Sequence, residues 1–214
     1  ARITSMTRRV VNVFEDVVSV EFPSALTAEA IKGVSLYQKS VPLPPGTYRV
    51  NIVVKDINGG NMNNYEMALH VPHYDDEKLG SSSLVLADLI EKVPTRSIGT
   101  GQFVIGTSKV RPRIGETFHR DEKMGIYLQL YNFTTDEKTR KPSGTVEYEV
   151  VKTGSNEKIF DFTEQIEKME GASGQQVTIE KLLPLQNMEP GQYILKMKVQ
   201  DKLGNQVLTP QATF

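Results

Sequence analysis

The 214-residue chain has three histidines, His70, His73 and His119, and the first two lie just ahead of Asp75 and Asp76. Imidazole nitrogen and carboxylate oxygen both ligate zinc, so His70, His73 and Asp75 are the candidate metal set. Residues three apart on a strand face opposite sides. The set therefore needs a bend, which Pro72 can supply; without one, the same residues are a solvated strand end. Calcium takes carboxylate and carbonyl oxygens gathered at strand ends. The places for it are Asp56 with Asn58 and Asn61, or Asp75 to Glu77 with Asp121. No spacing matches an EF-hand loop, and turn formation by itself explains Asp56 and Asp201.

Other chemistries find less support. Cysteine is absent, which excludes a disulfide, a thiolate zinc site and a cysteine nucleophile within these residues and leaves the compartment open. A serine nucleophile needs a base within hydrogen-bond reach, yet there is no Gly-x-Ser-x-Gly, and Ser81 to Ser83 lie in a linker-like stretch. Gly99-Thr100-Gly101 and Gly106 lack the Lys-Ser/Thr of a phosphate loop. With 26 Asp and Glu, a glycosidase pair can always be chosen, so its availability is not support. The expectation is a protein that is not an enzyme and carries no cofactor. Lys109, Arg111 and Arg113, and again Lys138, Arg140 and Lys141, are small basic groups without interleaved aromatics. They read as solvated surface, with binding of an acidic partner or glycan the minority reading. A balance of 25 Lys and Arg against 26 Asp and Glu, net −1, provides no basic face for nucleic acid. No apolar run approaches the ~20 residues of a membrane span.

The elements that must position these residues follow from an internal repeat. Pro45-Gly46-Thr47-Tyr48 runs into Arg49-Val50-Asn51-Ile52-Val53-Val54-Lys55-Asp56 and then Gly59. Pro190-Gly191-Gln192-Tyr193 runs into Ile194-Leu195-Lys196-Met197-Lys198-Val199-Gln200-Asp201 and then Gly204. Tyr48, Val50, Ile52 and Val54 alternate with more polar neighbours, as do Tyr193, Leu195, Met197 and Val199. A period of two is a strand with one buried face. Asp-x-x-Gly then suits a hairpin turn, with Gly expected to accept a positive φ. The following strands are expected at Asn64 to Val71 and Gln206 to Phe214.

The rest of the chain extends this plan to an all-β fold of two sandwich units, 1–78 and 79–214. In the second unit the expected strands are Leu84 to Val93 (preferred over a helix there), Lys123 to Tyr131, Thr145 to Val151 and Gln175 to Leu183. Val146, Tyr148 and Val150 share one face. In the first, Val10 to Phe22 is strand-like with a break at Glu15-Asp16, and Gly33 to Val41 precedes the corner. Ser24 to Lys32 suits a short helix, with Thr27 as cap and Gly33 as stop. Asp75 to Gly80 is the expected linker. Only about four strands fit before Asp75, against ~7 in a full immunoglobulin-like sandwich. The first unit is therefore expected to be truncated at its N-terminus or completed by something outside this chain, and its exposed strand edges favour strand addition from a protein partner.

Tyrosine shortly after Pro-Gly, at the start of a penultimate strand, resembles the tyrosine corner of immunoglobulin-like and fibronectin type III-like sandwiches. That resemblance implies a phenol hydroxyl bonded back to the upstream backbone. Val50 and Leu195 stand where antibody domains have cysteine, so an apolar contact replaces the disulfide. Ser81-Ser82-Ser83-Leu84-Val85-Leu86-Ala87-Asp88, after the hairpin and Val71-Pro72, resembles in its order the C-terminal β-rich part of bacterial proteins named for a GWxTD motif. The chain has no tryptophan, so that motif would lie upstream. This second resemblance implies an exported bacterial protein, in the periplasm or at the cell surface, and carries over no catalytic residue. The functional expectation is a non-catalytic interaction or structural module with a protein partner. The alternative is a glycan- or metal-recognition module at the loop end near His70 and His73.

Overall fold

A computed structural model describes residues 1–19, 34–155, 157–169, 172 and 174–214. The helix expected at Ser24 to Lys32 lies outside the described residues. Among the described residues no α-helix occurs, and every strand pairing is antiparallel. Contacts gather the chain into two compact units, Ala1–His73 and Tyr74–Phe214.

Among its described residues the first unit forms one sheet of β1 (Arg2–Ser5), β2 (Val10–Val13), β3 (Gly46–Lys55) and β4 (Met62–Val71), in the order β2-β1-β3-β4. β3 and β4 form a hairpin paired from Gly46↔Val71 to Lys55↔Met62. Three expectations change here. β1 is a strand that the alternation did not reveal, β2 ends at Val13, and residues 34–41 form no strand.

The second unit contains β5 (Gly80–Ser81), β6 (Val85–Lys92), β7 (Val104–Ile105), β8 (Ser108–Pro112), β9 (Lys123–Tyr131), β10 (Gly144–Lys152), β11 (Lys158–Gln165), β12 (Val177–Pro184), β13 (Tyr193–Asp201), β14 (Gln206–Leu208) and β15 (Gln211–Thr213). One sheet runs β12-β9-β6-β8-β7, with β5 also on β9. The other runs β11-β10-β13-β14, with β15 also on β13. The expected last strand is thus interrupted, and Met197 N–H donates across the gap to Pro210 O at 2.9 Å.

Alternation dictates how the two sheets face each other. Met124, Ile126, Leu128 and Leu130 of β9, with Val177 and Ile179 of β12, meet Val146, Tyr148 and Val150 of β10 and Leu195, Met197 and Val199 of β13 in one core. All are at most 2 % exposed. Full burial of one such side chain stabilises by about 1.5–3 kcal/mol, which is why this unit is a two-layered sandwich. On the outer side of β9, Gly125 leaves room for Ile90. A Cβ there would lie 2.8 Å from the Ile90 side chain.

Both repeat copies make the same local bonds. The Tyr48 hydroxyl donates to Pro44 O, and the Tyr193 hydroxyl to Glu189 O, each at 2.7 Å. The turn glycines have another reason than the expected one. Positive φ falls on the residues after them, Gly60 at 73° and Asn205 at 51°. Gly59 and Gly204 instead make space for the turn aspartate. A Cβ would lie 2.3 Å from Asp56 Oδ2 in the first copy and 2.5 Å from Asp201 Oδ2 in the second. Asp201 is fully buried and accepts from the N–H groups of Thr134 (2.9 Å), Leu203 (3.0 Å) and Gly204 (2.9 Å). Asp56 is exposed, and its carboxylate accepts from Asn58 N–H at 3.0 Å.

The expected linker is part of the second unit. Asn132 Nδ2 donates to Asp75 O (2.9 Å) and Lys78 O (3.2 Å), and Leu79 N–H donates to Gln206 Oε1 (2.9 Å). Removing the carboxylate of Asp201 leaves three donors unpaired, two of them held only by that group's Oδ1. Asp201→Ala is expected to cost about 3 kcal/mol or more, and Asp56→Ala about 1 kcal/mol or less. Urea unfolding, followed separately for each unit by hydrogen exchange, measures both.

Candidate interaction face

Register divides the first unit's sheet into two unlike faces. Ile3 pairs with Val50, and Tyr48, Val50 and Ile52 pair with Leu69, Met67 and Tyr65. Directly opposed residues share a face, so Ile3, Tyr48, Val50, Ile52, Val54, Tyr65, Met67, Leu69 and Val71 lie together. The other, mostly polar face holds Arg2, Thr47, Arg49, Asn51, Lys55, Asn64, Glu66 and His70 together with Val53, Met62 and Ala68, and Arg49 pairs with Glu66 at 3.5 Å. This is the pattern of a sheet built to cover one side.

Among the described residues that apolar side is only partly covered. Ile3 and Tyr48 are buried, but Met67 is 41 %, Tyr65 63 % and Val54 66 % exposed. Their repeat counterparts show the difference: Val54 corresponds to Val199, which is 0 % exposed. Scattered exposed apolar residues are ordinary, whereas a contiguous row on one sheet face marks an interaction surface.

Within residues 34–41, Tyr37 and Lys39 make side-chain contacts with Phe14 and Asp16. The Tyr37 hydroxyl donates to Asp16 Oδ2, Lys39 Nζ pairs with the same oxygen at 2.9 Å, and Lys39 also sits 5.5 Å from the Phe14 ring centroid. The hydrogen bond from Tyr37, followed by that from Lys39, holds the Asp16 carboxyl below its ordinary pKa. The same contacts raise Tyr37 and Lys39 above theirs.

The residues singled out for metal chemistry fall in both units. His70 is on the polar face, its Nδ1 3.3 Å from Thr47 Oγ1, and His73 is exposed beyond β4. Asp75 belongs to the second unit, where its carboxylate accepts from Glu77 N–H (3.1 Å) and pairs with Lys78 (3.3 Å). Among the described residues no three His, Asp or Glu side chains gather as a ligand set. The first basic group is engaged in ion pairs: Lys109 with Glu91, Arg111 with Asp88, and Arg113 with Asp88 and Glu122. The second surrounds a turn in which Asp136 accepts from Lys138 and Thr139 N–H, and those bonds, Thr139 first, lower its pKa.

His119 and Arg120 line a cleft of about 520 Å³ in the second unit with Phe118, Met188 and Phe214. Arg120 donates to Gln186 O at 3.2 Å, and His119 N–H donates to Glu122 at 2.7 Å. Sequence reasoning missed one polar cluster. Fully buried Ser108 donates to Glu180 Oε1 at 2.6 Å, while Lys92 takes the other oxygen at 2.7 Å. Its members come from β6, β8 and β12, far apart in the chain, so no local motif announces them. Ser108 and Lys92 thus tie β8 and β6 to β12 through the Glu180 carboxylate.

No protein-family model and no curated protein matches the chain. No helix among the described residues is long and apolar enough to cross a membrane.

Two outcomes follow from this geometry. Val54→Lys is expected to change stability by less than about 0.5 kcal/mol, while Val199→Lys places a charge in the core and is expected to cost more than about 4 kcal/mol; chemical denaturation compares them. A carboxylate with a lowered pKa contributes stability above its ordinary range and loses it as pH falls through the lowered value. The Tyr37–Asp16–Lys39 contact should therefore persist at neutral pH and open in acid. Carboxyl NMR titration should find Asp16 below the ordinary range, and Tyr37→Phe should move it back up.

Proposed function

We propose that the chain is a non-catalytic interaction or structural module of a larger exported bacterial protein, held to other polypeptide through the open face of its first unit. That face is the observation that carries the reading: a row of apolar side chains in core register, backed by a polar face suited to water. Two further features support tandem units of immunoglobulin-like or fibronectin type III-like kind. The second unit pairs a β12-β9-β6 sheet with a β11-β10-β13-β14 sheet, and both tyrosines bond back four residues, as tyrosine corners do. Catalysis gains nothing from the polar clusters, whose members are engaged in ion pairs, turns and strand ties.

The test uses the immobilised chain in extract from its source. The unaltered chain is expected to retain a specific, saturable protein, Val54→Lys/Tyr65→Lys to lose it, and His70→Ala/His73→Ala to keep it. Retention that ignores the apolar face but depends on the histidines would overturn the proposal in favour of ligand recognition at the loop end.

A further inference from the structure

We infer that Asn58-Gly59, at the tip of the β3–β4 hairpin, is a site of spontaneous deamidation whose reaction the folded turn leaves open.

The β3–β4 ladder ends at Lys55↔Met62. Beyond it the turn is closed by two backbone bonds, Asp56 N–H to Asn61 O at 2.8 Å and Gly60 N–H to Asp56 O at 2.9 Å. Asn58 and Gly59 stand exposed within that turn. The Asn58 backbone N–H donates to Asp56 Oδ1 at 3.0 Å. The Asn58 side-chain amide and the Gly59 N–H have no hydrogen-bond partner among the described residues. The two groups that must react are therefore the two that the turn does not hold.

Gly59 opens the path. With no Cβ, glycine neither shields its own nitrogen nor limits the backbone rotation that brings that nitrogen to the preceding side chain. Hydroxide takes the Gly59 amide proton, and the nitrogen attacks Asn58 Cγ. The new N–Cγ bond closes a cyclic imide, the Cγ–Nδ2 bond breaks, and Nδ2 takes a proton from water and leaves as ammonia. Water then opens the ring at Cγ, which gives aspartate, or at the main-chain carbonyl carbon, which gives isoaspartate. The glycine is itself required by the turn, because a Cβ at Gly59 would run into Asp56 Oδ2.

The setting is particular to this turn. Asn-Gly occurs at this one place in the sequence. Asn132, by contrast, has its Nδ2 held by Asp75 O and Lys78 O, and the Phe133 N–H that follows it donates to Gln175 O at 2.9 Å. In the second copy of the hairpin, Leu203-Gly204 stand where Asn58-Gly59 stand, so that turn has no amide to lose. The two products act differently on the first hairpin. Aspartate adds a negative charge close to Asp56 and keeps the course of the chain. Isoaspartate adds one backbone atom inside the loop that both closing bonds span, so it loosens them.

The experiment incubates the folded chain in mildly alkaline buffer for as long as the urea-unfolded chain takes to lose half of its amide at residue 58. The tryptic peptide 56–78, which also holds Asn61, Asn63 and Asn64, is then fragmented by mass spectrometry. Conversion at residue 58 is expected to exceed that at each of the other three by at least about tenfold. Asn58→Gln, which needs a larger ring, should show none at that position. In the isoaspartyl fraction, the amides of Asp56 and Gly60 should exchange hydrogen at least about tenfold faster than in the unconverted chain. An intact amide at residue 58 in the folded chain after that time would overturn the inference, as would conversion shared evenly among the four asparagines.

Discussion

An alternating strand carries one row of side chains that water does not solvate well, and a sheet of such strands needs a second layer over that row. This requirement governs both units of the chain. In the second unit, β13 presents Tyr193, Leu195, Met197 and Val199, and β9 and β12 close over them. The core, the corner, the buried Asp201 and the tie from Asn132 to the Asp75–Lys78 segment all sit around that closure. In the first unit, β3 presents Tyr48, Val50, Ile52 and Val54 in the same register, and the second layer is incomplete among the described residues. The bond from the tyrosine hydroxyl forms in both, because it needs only a tyrosine and a carbonyl four residues upstream.

The turn aspartates show how the layer changes the meaning of a residue. Asp56 and Asp201 begin equivalent hairpin turns. At Asp201 the neighbouring loop comes close enough for Thr134 N–H to join the carboxylate, and burial makes those bonds obligatory. At Asp56 water can do the same service. Among the described residues, the polar clusters of the second unit are ion pairs, turns and strand ties, while the sheet of the first unit leaves Val54, Tyr65 and Met67 open to solvent.

Much of the fold was legible. Period-two alternation in Lys123 to Tyr131 and in Thr145 to Val151 corresponds to β9 and β10, and the hairpins after the two corners stand where Pro-Gly and Asp-x-x-Gly punctuate the chain. The all-β sandwich class follows from these elements. Alternation failed at two segments of the first unit. β1 is too short to display a period. Residues 34–41 resemble a strand in sequence and form none.

Residue order alone determined the alternating faces, the turn positions, the absence of thiol chemistry and the likeness of the two hairpins, because each depends on neighbours within a few residues. Tertiary structure decided the rest. It showed that Gly59 and Gly204 make room for a carboxylate instead of bending the backbone, and that Ser108 meets Glu180. It also showed that His70 shares the polar face with Arg49, and that identical strand patterns are covered in one unit and open in the other. These features depend on groups that meet only when distant segments pack, and sequence spacing carries no measure of that distance.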